Sequence, residues 1–318
     1  MFGDALGQDA SVLRWRVDIT KAHPARVYDL FLGGTDNYPV DRAAAAAALA
    51  ANPRGYLDIR HNRDFLRRAV TTLTAQDGIR QFLDIGTGLP TQENVHQIAQ
   101  RISPDSRVVY VDNDPVVLAQ VYTLLTSRSE GRTDYIDADL KQPARILEQA
   151  AKTLDFDQPV ALVLAAVLHF VEDEEAYRAV RELVDALPSG SRLVLSHLTE
   201  DVNPEAIRAV RRTYTERGFT FVLRSNRDVE RFFTEAGLVL EELGVVPVHR
   251  WRPDGAAPSP EQADPAHLAT FDAFDAFDAF DAIDAFDAID AIEMIRFHDI
   301  NDVTDADINI YAATGRKA

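Results

Sequence analysis

Two glycines and a series of acids are the residues of this chain best placed to do chemistry. Gly86 and Gly88 follow the run Phe82-Leu83-Asp84-Ile85, with Thr87 between them and Pro90 just beyond. The pattern reads as a buried strand, a tight turn and a helix opening near Pro90, where a missing N–H costs nothing. Glycines allow the turn and leave room for a ligand against the main chain. A nucleotide-like ligand suits such a turn at the carboxyl end of a strand. Asp112, 26 residues beyond Gly86, closes a second apolar run, Val108 to Val111. A carboxylate there is set to accept hydrogen bonds from ribose hydroxyls. The plainer reading is that Asp112-Asn113-Asp114-Pro115 caps the next helix. Both hold if Asp112 faces the ligand and Asp114 the helix. Asp137, Asp139 and Leu140 follow a third run, Thr133 to Ile136.

The elements that position these residues alternate along the chain. A fourth strand, Val160 to Ala166, includes Ala165 and leads to His169. A fifth, Arg192 to Leu195, leads to Ser196-His197. Helical stretches separate the strands, which implies a parallel sheet covered on both faces. The strand runs are continuously apolar, as burial on both sides requires.

The nature of the ligand is narrowed by what the turn lacks. A dinucleotide fingerprint needs a small third position, and Thr91 stands there. No lysine follows to make a phosphate loop. The stretch from Leu83 to Gly88 resembles motif I of the class I S-adenosylmethionine-dependent methyltransferases. The whole chain resembles, more narrowly, the S-adenosyl methyltransferases of actinomycetes. The matching stretches are His23 to Asp29, Leu32 to Tyr38, Asn62 to Val70, the glycine loop, Val109 to Val117, Ala165 to Phe170, Leu193 to His197 and Trp251-Arg252-Pro253. The resemblance implies a Rossmann-like α/β fold with a mostly parallel seven-stranded sheet and an antiparallel last strand. It implies S-adenosyl-L-methionine as cofactor, held by Asp84, Gly86, Thr87, Gly88, Asp112, Asn113, Asp139, Leu140 and Ala165, with Asp139 near the adenine amino group.

Direct methyl transfer needs an aligned nucleophile and, for a hydroxyl acceptor, a base. His169 and His197 lie just past strand ends on the cofactor edge, and a neutral imidazole there can take a proton. His169 is the candidate base. The plainer reading is that either histidine braces a loop. Residues 1–75 precede the first sheet strand and are expected to form a helical cap over the substrate. Two helices are predicted there, one over Ala43–Ala51 started by Asp41, one over Asn62–Leu73. Tyr28, Asp36, Asn37, Tyr38 and His197 are the candidate substrate-pocket residues. Leu32-Gly33-Gly34 is read as the start of a lid loop, or alternatively as a helix stop.

Composition sets the remaining bounds. The chain has 318 residues and no cysteine, which excludes disulfides, thiolate–metal sites and a thiolate nucleophile. No metal site is expected. The net charge of −18 is uneven: residues 261–307 hold fourteen acids and one arginine, the rest 37 acids against 32 bases. No dense basic face for nucleic acid is present. The longest apolar run, Val160 to Leu168, is too short to cross a bilayer, for which about 20 residues are needed. A cytoplasmic protein acting on a small-molecule acceptor is expected, with no nucleic acid or membrane partner. The chain divides into 1–75 and a methyltransferase domain over 76–318. Within the latter, residues 254–305 are read as a low-complexity insertion between the last two strands. From Phe271 to Ile292 an apolar residue recurs strictly every third position, with seven aspartates among them. That period drifts about 60° per step around a helix, so no single face can bury the stripe. Two other readings stay open: a non-catalytic binder or scaffold, and a nicotinamide-dependent oxidoreductase.

Overall fold

The computed structural model describes residues 18–90, 93–117, 120, 129–253 and 303–318. The low-complexity tract and Thr91 lie outside these residues. Among the described residues three helices precede the sheet: α1 Pro24–Phe31, α2 Pro39–Ala51 and α3 Gly55–Ala75. The sheet then follows: β1 Gln81–Ile85, α4 Val95–Ile102, β2 Arg107–Asp112, β3 Arg132–Asp137, α5 Pro143–Ala150, β4 Ala161–Ala165, α6 Asp173–Asp185 and β5 Arg192–Leu198. α7 Pro204–Thr215, α8 Asn226–Thr234, β6 Leu238–Leu240, β7 Val246–Pro247 and β8 Ile310–Lys317 complete the described elements.

The strand order is β3-β2-β1-β4-β5-β8-β6, with β7 paired to β8. β1 to β5 run parallel, and β8 runs antiparallel between β5 and β6. Alternate strand residues feed two cores, one on each face of the sheet. Phe82, Val108, Val163 and Val194 pack with α1 to α4 and α7. Leu83, Val109, Leu162 and Leu195 pack with α5, α6 and α8. This is why the strand runs are apolar throughout: neither face sees water. α3 contributes Phe65, Ala69 and Val70 to the first core, so it is a full member of the helical layer.

Several boundaries move. α2 opens at Pro39, four residues before the predicted start, because Asp41 accepts the backbone N–H groups of Tyr38 and His23, each at 2.8 Å. α3 begins at Gly55 and is longer than predicted. α4 opens at Val95, not near Pro90; Asn94 and Gln97 close a capping box there. Gly315, Arg316 and Lys317 belong to β8. Residues 303–305, expected within the insertion, are packed: Asp305 pairs with His249 and Arg250.

Candidate active site

The carboxyl ends of β1, β2 and β4 open into a cavity of about 400 Å³. Every expected cofactor residue borders it: Asp84, Gly86, Thr87, Gly88, Asp112, Asn113, Asp139, Leu140 and Ala165. Tyr28 and His169 border it as well. Both glycines are left-handed, with φ of 76° at Gly86 and 66° at Gly88. Their surroundings differ. A Cβ on Gly86 would lie 2.3 Å from the Val167 side chain, whereas one on Gly88 would meet nothing nearer than the Ala25 Cβ at 4.0 Å. Gly86 therefore serves the approach of protein to protein, and Gly88 borders open space.

Asp112 does two things at once. Its Oδ2 accepts the Gly88 N–H at 2.8 Å, and Oδ1 accepts those of Asn113 and Asp114. A carboxylate has about four acceptor sites, so one remains on this cavity-lining residue. Asp114 caps the following turn by accepting the Val116 N–H. Its carboxylate also meets His23 Nδ1 at 2.9 Å, which ties the start of α1 to the loop after β2. Asp84 accepts no side-chain hydrogen bond from the described residues. Burial pushes its carboxyl up to about 7, with Arg63 opposing and Asp112 adding to the shift. The open space at Gly88, the unpartnered carboxyl of Asp84 and the spare site on Asp112 fit a ligand with hydroxyls and a cationic end.

The other half of the cavity is built by elements far apart in sequence. One face of α3 presents Asp58, Asn62 and Leu66, spaced one turn apart. Asn62 is the hub of a buried chain. Ser196 Oγ donates to Asn62 Oδ1 at 2.5 Å, and Asn62 Nδ2 donates to Tyr28 Oη at 2.9 Å. Ser196 Oγ also accepts the N–H of Ala166, a left-handed residue with φ 54° at the end of β4. Asp58 accepts the main-chain and side-chain N–H groups of Asn309 at 2.6 and 3.1 Å. Burial pushes its carboxyl up to about 7.

Four of the five expected substrate-pocket residues, Asp36, Asn37, Tyr38 and His197, do not border the cavity. Asp36, Asn37 and Tyr38 are engaged elsewhere: the Asp36 N–H donates to Asp29, Asn37 donates to the Gly34 carbonyl, and Tyr38 packs near Leu89. Gly33, with φ 85°, terminates α1, so the Leu32-Gly33-Gly34 turn is a helix stop. His197 is fully buried behind His169. Its Nδ1 donates to the Leu198 carbonyl and its Nε2 accepts from Arg224, both at 2.7 Å. It braces Arg224.

His169 stands at the cavity wall with no hydrogen-bond partner on either ring nitrogen among the described residues. Burial, aided by the Arg224 guanidinium, pushes its imidazole down to about 3. It stays neutral near pH 7. Such a ring is a weak base toward a resting hydroxyl, and accepts a proton only from a group made strongly acidic.

Sequence reasoning missed Asp58, Asn62, Arg63 and the aromatic residues at the end of α7 and beyond it. Asp58, Asn62 and Leu66 lie on one stripe, so two polar residues on an otherwise apolar face were the available signal. For Tyr214 and Phe221 no local pattern pointed to the cavity.

A family model described as S-adenosyl methyltransferase matches residues 10–275. The chain belongs to the S-adenosyl methyltransferase family. This methyltransferase uses S-adenosyl-L-methionine, and the nicotinamide reading falls. It is similar to the crystal structure of a DUF574 family protein from Streptomyces avermitilis, with 41% identity over 95% of this chain and 99% of that one, at a TM-score of 0.78. It is also similar to a proposed methyltransferase from Thermobifida fusca, with 31% identity, 100% and 99% coverage, and a TM-score of 0.75. No curated protein matches the methyltransferase. No described helix is long and apolar enough to cross a membrane, and no metal-ligating cluster is found among the described residues.

Proposed function

We propose that this methyltransferase transfers a methyl group directly to a small-molecule acceptor, in the cytoplasm. One observation carries the reading. The glycine loop with Asp84 and Asp112, and the wall formed by α3, α7 and His169, enclose a single cavity. Donor and acceptor thus share one space.

When bound, the donor supplies a methyl group already activated on a sulfonium. The chain's own residues bind, orient and exclude water. The Gly88 turn and Asp112 hold the ribose. Asp84 takes the ammonium end, and Arg63, close enough to Asp84 to oppose its rise in pKa, takes the carboxylate. Asp139 and Leu140 border the adenine. Tyr28 and Asn62, fixed by their hydrogen-bonded chain to Ser196, frame the reacting end. Holding two reactants in line removes about 7–11 kcal/mol of barrier, so little further chemistry is asked of the protein. Residues 1–75 act as the cap over the acceptor, with α2 packed against α7. His169 receives the proton when the acceptor oxygen gains its methyl and becomes strongly acidic.

The test is calorimetric titration with S-adenosylhomocysteine, followed by a search for labelled methyl products in an extract given labelled donor. Saturable binding and a labelled small molecule are expected. Binding without any labelled product would favour a sensor, and a labelled macromolecule would overturn the small-molecule reading.

A further inference from the structure

The acceptor half of the cavity has a composition of its own. His169, Phe170, Tyr214, Phe219 and Phe221 all border it. They form one aromatic cluster. Tyr214 stacks on Phe221 with ring centres 4.8 Å apart, and Phe170 meets Phe221 edge-on at 5.5 Å. The His169 ring lies 4.3 Å from Phe170 and 5.2 Å from Phe221. Ile207 and Val210 of α7 extend the apolar wall. The cluster is held in place from behind. The Val222 N–H donates to the His169 carbonyl at 2.8 Å, and Arg224 donates to the carbonyls of Leu168 and Val171.

Resting on the methyltransferase reading, we infer that the acceptor is a planar aromatic molecule whose hydroxyl, held by His169, receives the methyl group. The aromatic walls supply flat faces and edges, which favour another ring over an aliphatic chain of equal area. Of the five side chains in this cluster, His169 and Tyr214 carry polar groups, and the imidazole is the one that can take up a proton. A neutral imidazole offers one donor and one acceptor, which match a hydroxyl. It offers no charge to an ionised carboxylate. The Arg224 guanidinium, bonded to the adjoining His197, disfavours an ammonium group at the same spot. In the transfer, a bond forms between the hydroxyl oxygen and the methyl carbon, and the sulfur–methyl bond breaks to leave a neutral thioether. The hydroxyl proton passes to His169 and then to solvent, so the positive charge of the sulfonium leaves as that proton.

The inference is tested by binding, with three probes and saturating S-adenosylhomocysteine. The probes are 2-naphthol, its saturated counterpart decahydro-2-naphthol, and naphthalene. 2-Naphthol is expected to bind about fivefold or more tightly than the saturated alcohol. It should also exceed naphthalene by about two- to tenfold, the scale of one hydrogen bond. Tyr214→Leu should erase the first preference and His169→Leu the second, with affinity for S-adenosylhomocysteine within about twofold of wild type in both, the margin taken for an undisturbed site. Because Tyr214 is only half-buried, this variant is expected to fold, and an unchanged cofactor affinity shows that it has. Equal binding of the aromatic and saturated alcohols would overturn the inference. Loss of S-adenosylhomocysteine binding in the wild-type protein, with 2-naphthol still bound, would instead overturn the cofactor assignment and leave the aromatic site standing.

Discussion

Gly86 and Gly88 are alike in sequence and in backbone, yet they answer to different neighbours. A side chain at Gly86 strikes Val167, so Gly86→Ala should cost about 1–3 kcal/mol and lower the thermal midpoint. A side chain at Gly88 enters open cavity, so Gly88→Ala should cost only about 1 kcal/mol from its positive φ. It should nonetheless weaken S-adenosylhomocysteine binding more than Gly86→Ala does. Melting curves and calorimetry on both variants check this pair; the reverse ranking would mean that the ligand lies against Gly86. Asp84 makes a second residue-scale prediction. Its carboxyl sits at about 7, raised by burial, and only the ionised form attracts a cation. Cofactor affinity should therefore rise as pH rises from 6 to 8, by about tenfold for a single group of that pKa. Asp84→Asn should bind weakly with that pH dependence flattened, and an unchanged profile would remove Asp84 from the site. That these residues border one cavity was readable because each of them sits beside a strand end, where an apolar run stops. The role of each glycine was not, since Val167 meets Gly86 only after the chain has folded back.

The segment from α7 to α8 shows how an element is made to serve a site it does not border alone. It carries Tyr214, Phe219 and Phe221, and its anchor is Arg224. That buried guanidinium bonds Asp173, the carbonyls of Leu168 and Val171, and His197 Nε2. Burial, together with the nearby His169 ring and the Arg224 guanidinium, keeps His197 well below the usual histidine range, so the neutral ring can accept. Replacing Arg224 with methionine leaves these acceptors buried without donors, at a cost of about 3–5 kcal/mol. Lysine should not restore it, because one ammonium cannot span acceptors set in a guanidinium fan. Chemical denaturation of the two variants checks this; a lysine variant of wild-type stability would mean that charge alone is needed. The helices here show what a sequence can and cannot convey. The Ser225 capping box starting α8 is local, its two partners, Ser225 and Asp228, lying three residues apart. The start of α2 is not local, because Asp41 reaches back to His23 as well as to Tyr38. The acceptor wall was hidden for the same reason: single residues from α1, α3 and the α7–α8 segment meet only through tertiary packing.

For the molecule as a whole, the last strand is the element on which closure depends. β8 pairs with β5 from Leu198↔Ile310 to Arg192↔Arg316, and β6 and β7 join the sheet only through it. Just before it, Asn309 bonds Asp58 of α3 and accepts the Thr199 N–H, so the same stretch completes the acceptor wall. Before that stretch lie residues 254–302, with their period-three apolar stripe and spaced aspartates. A stripe of that period cannot offer one face to a core, and like charges at every third position favour solvent. The two parts should therefore separate by experiment. Ending the chain at residue 302 should abolish cooperative unfolding, because it strips the β5 edge and detaches β6. Replacing 254–302 with a linker of about a dozen glycine and serine residues should keep the midpoint within a few degrees, since loop closure changes by only about 0.6 kcal/mol per halving of length. Cofactor affinity should also be retained, as Asp84, Gly88, Asp112 and the other cofactor residues named above belong to other stretches of the chain. A shortened protein that is insoluble, or that no longer binds S-adenosylhomocysteine, would show instead that the repeat is an integral part of the packed domain.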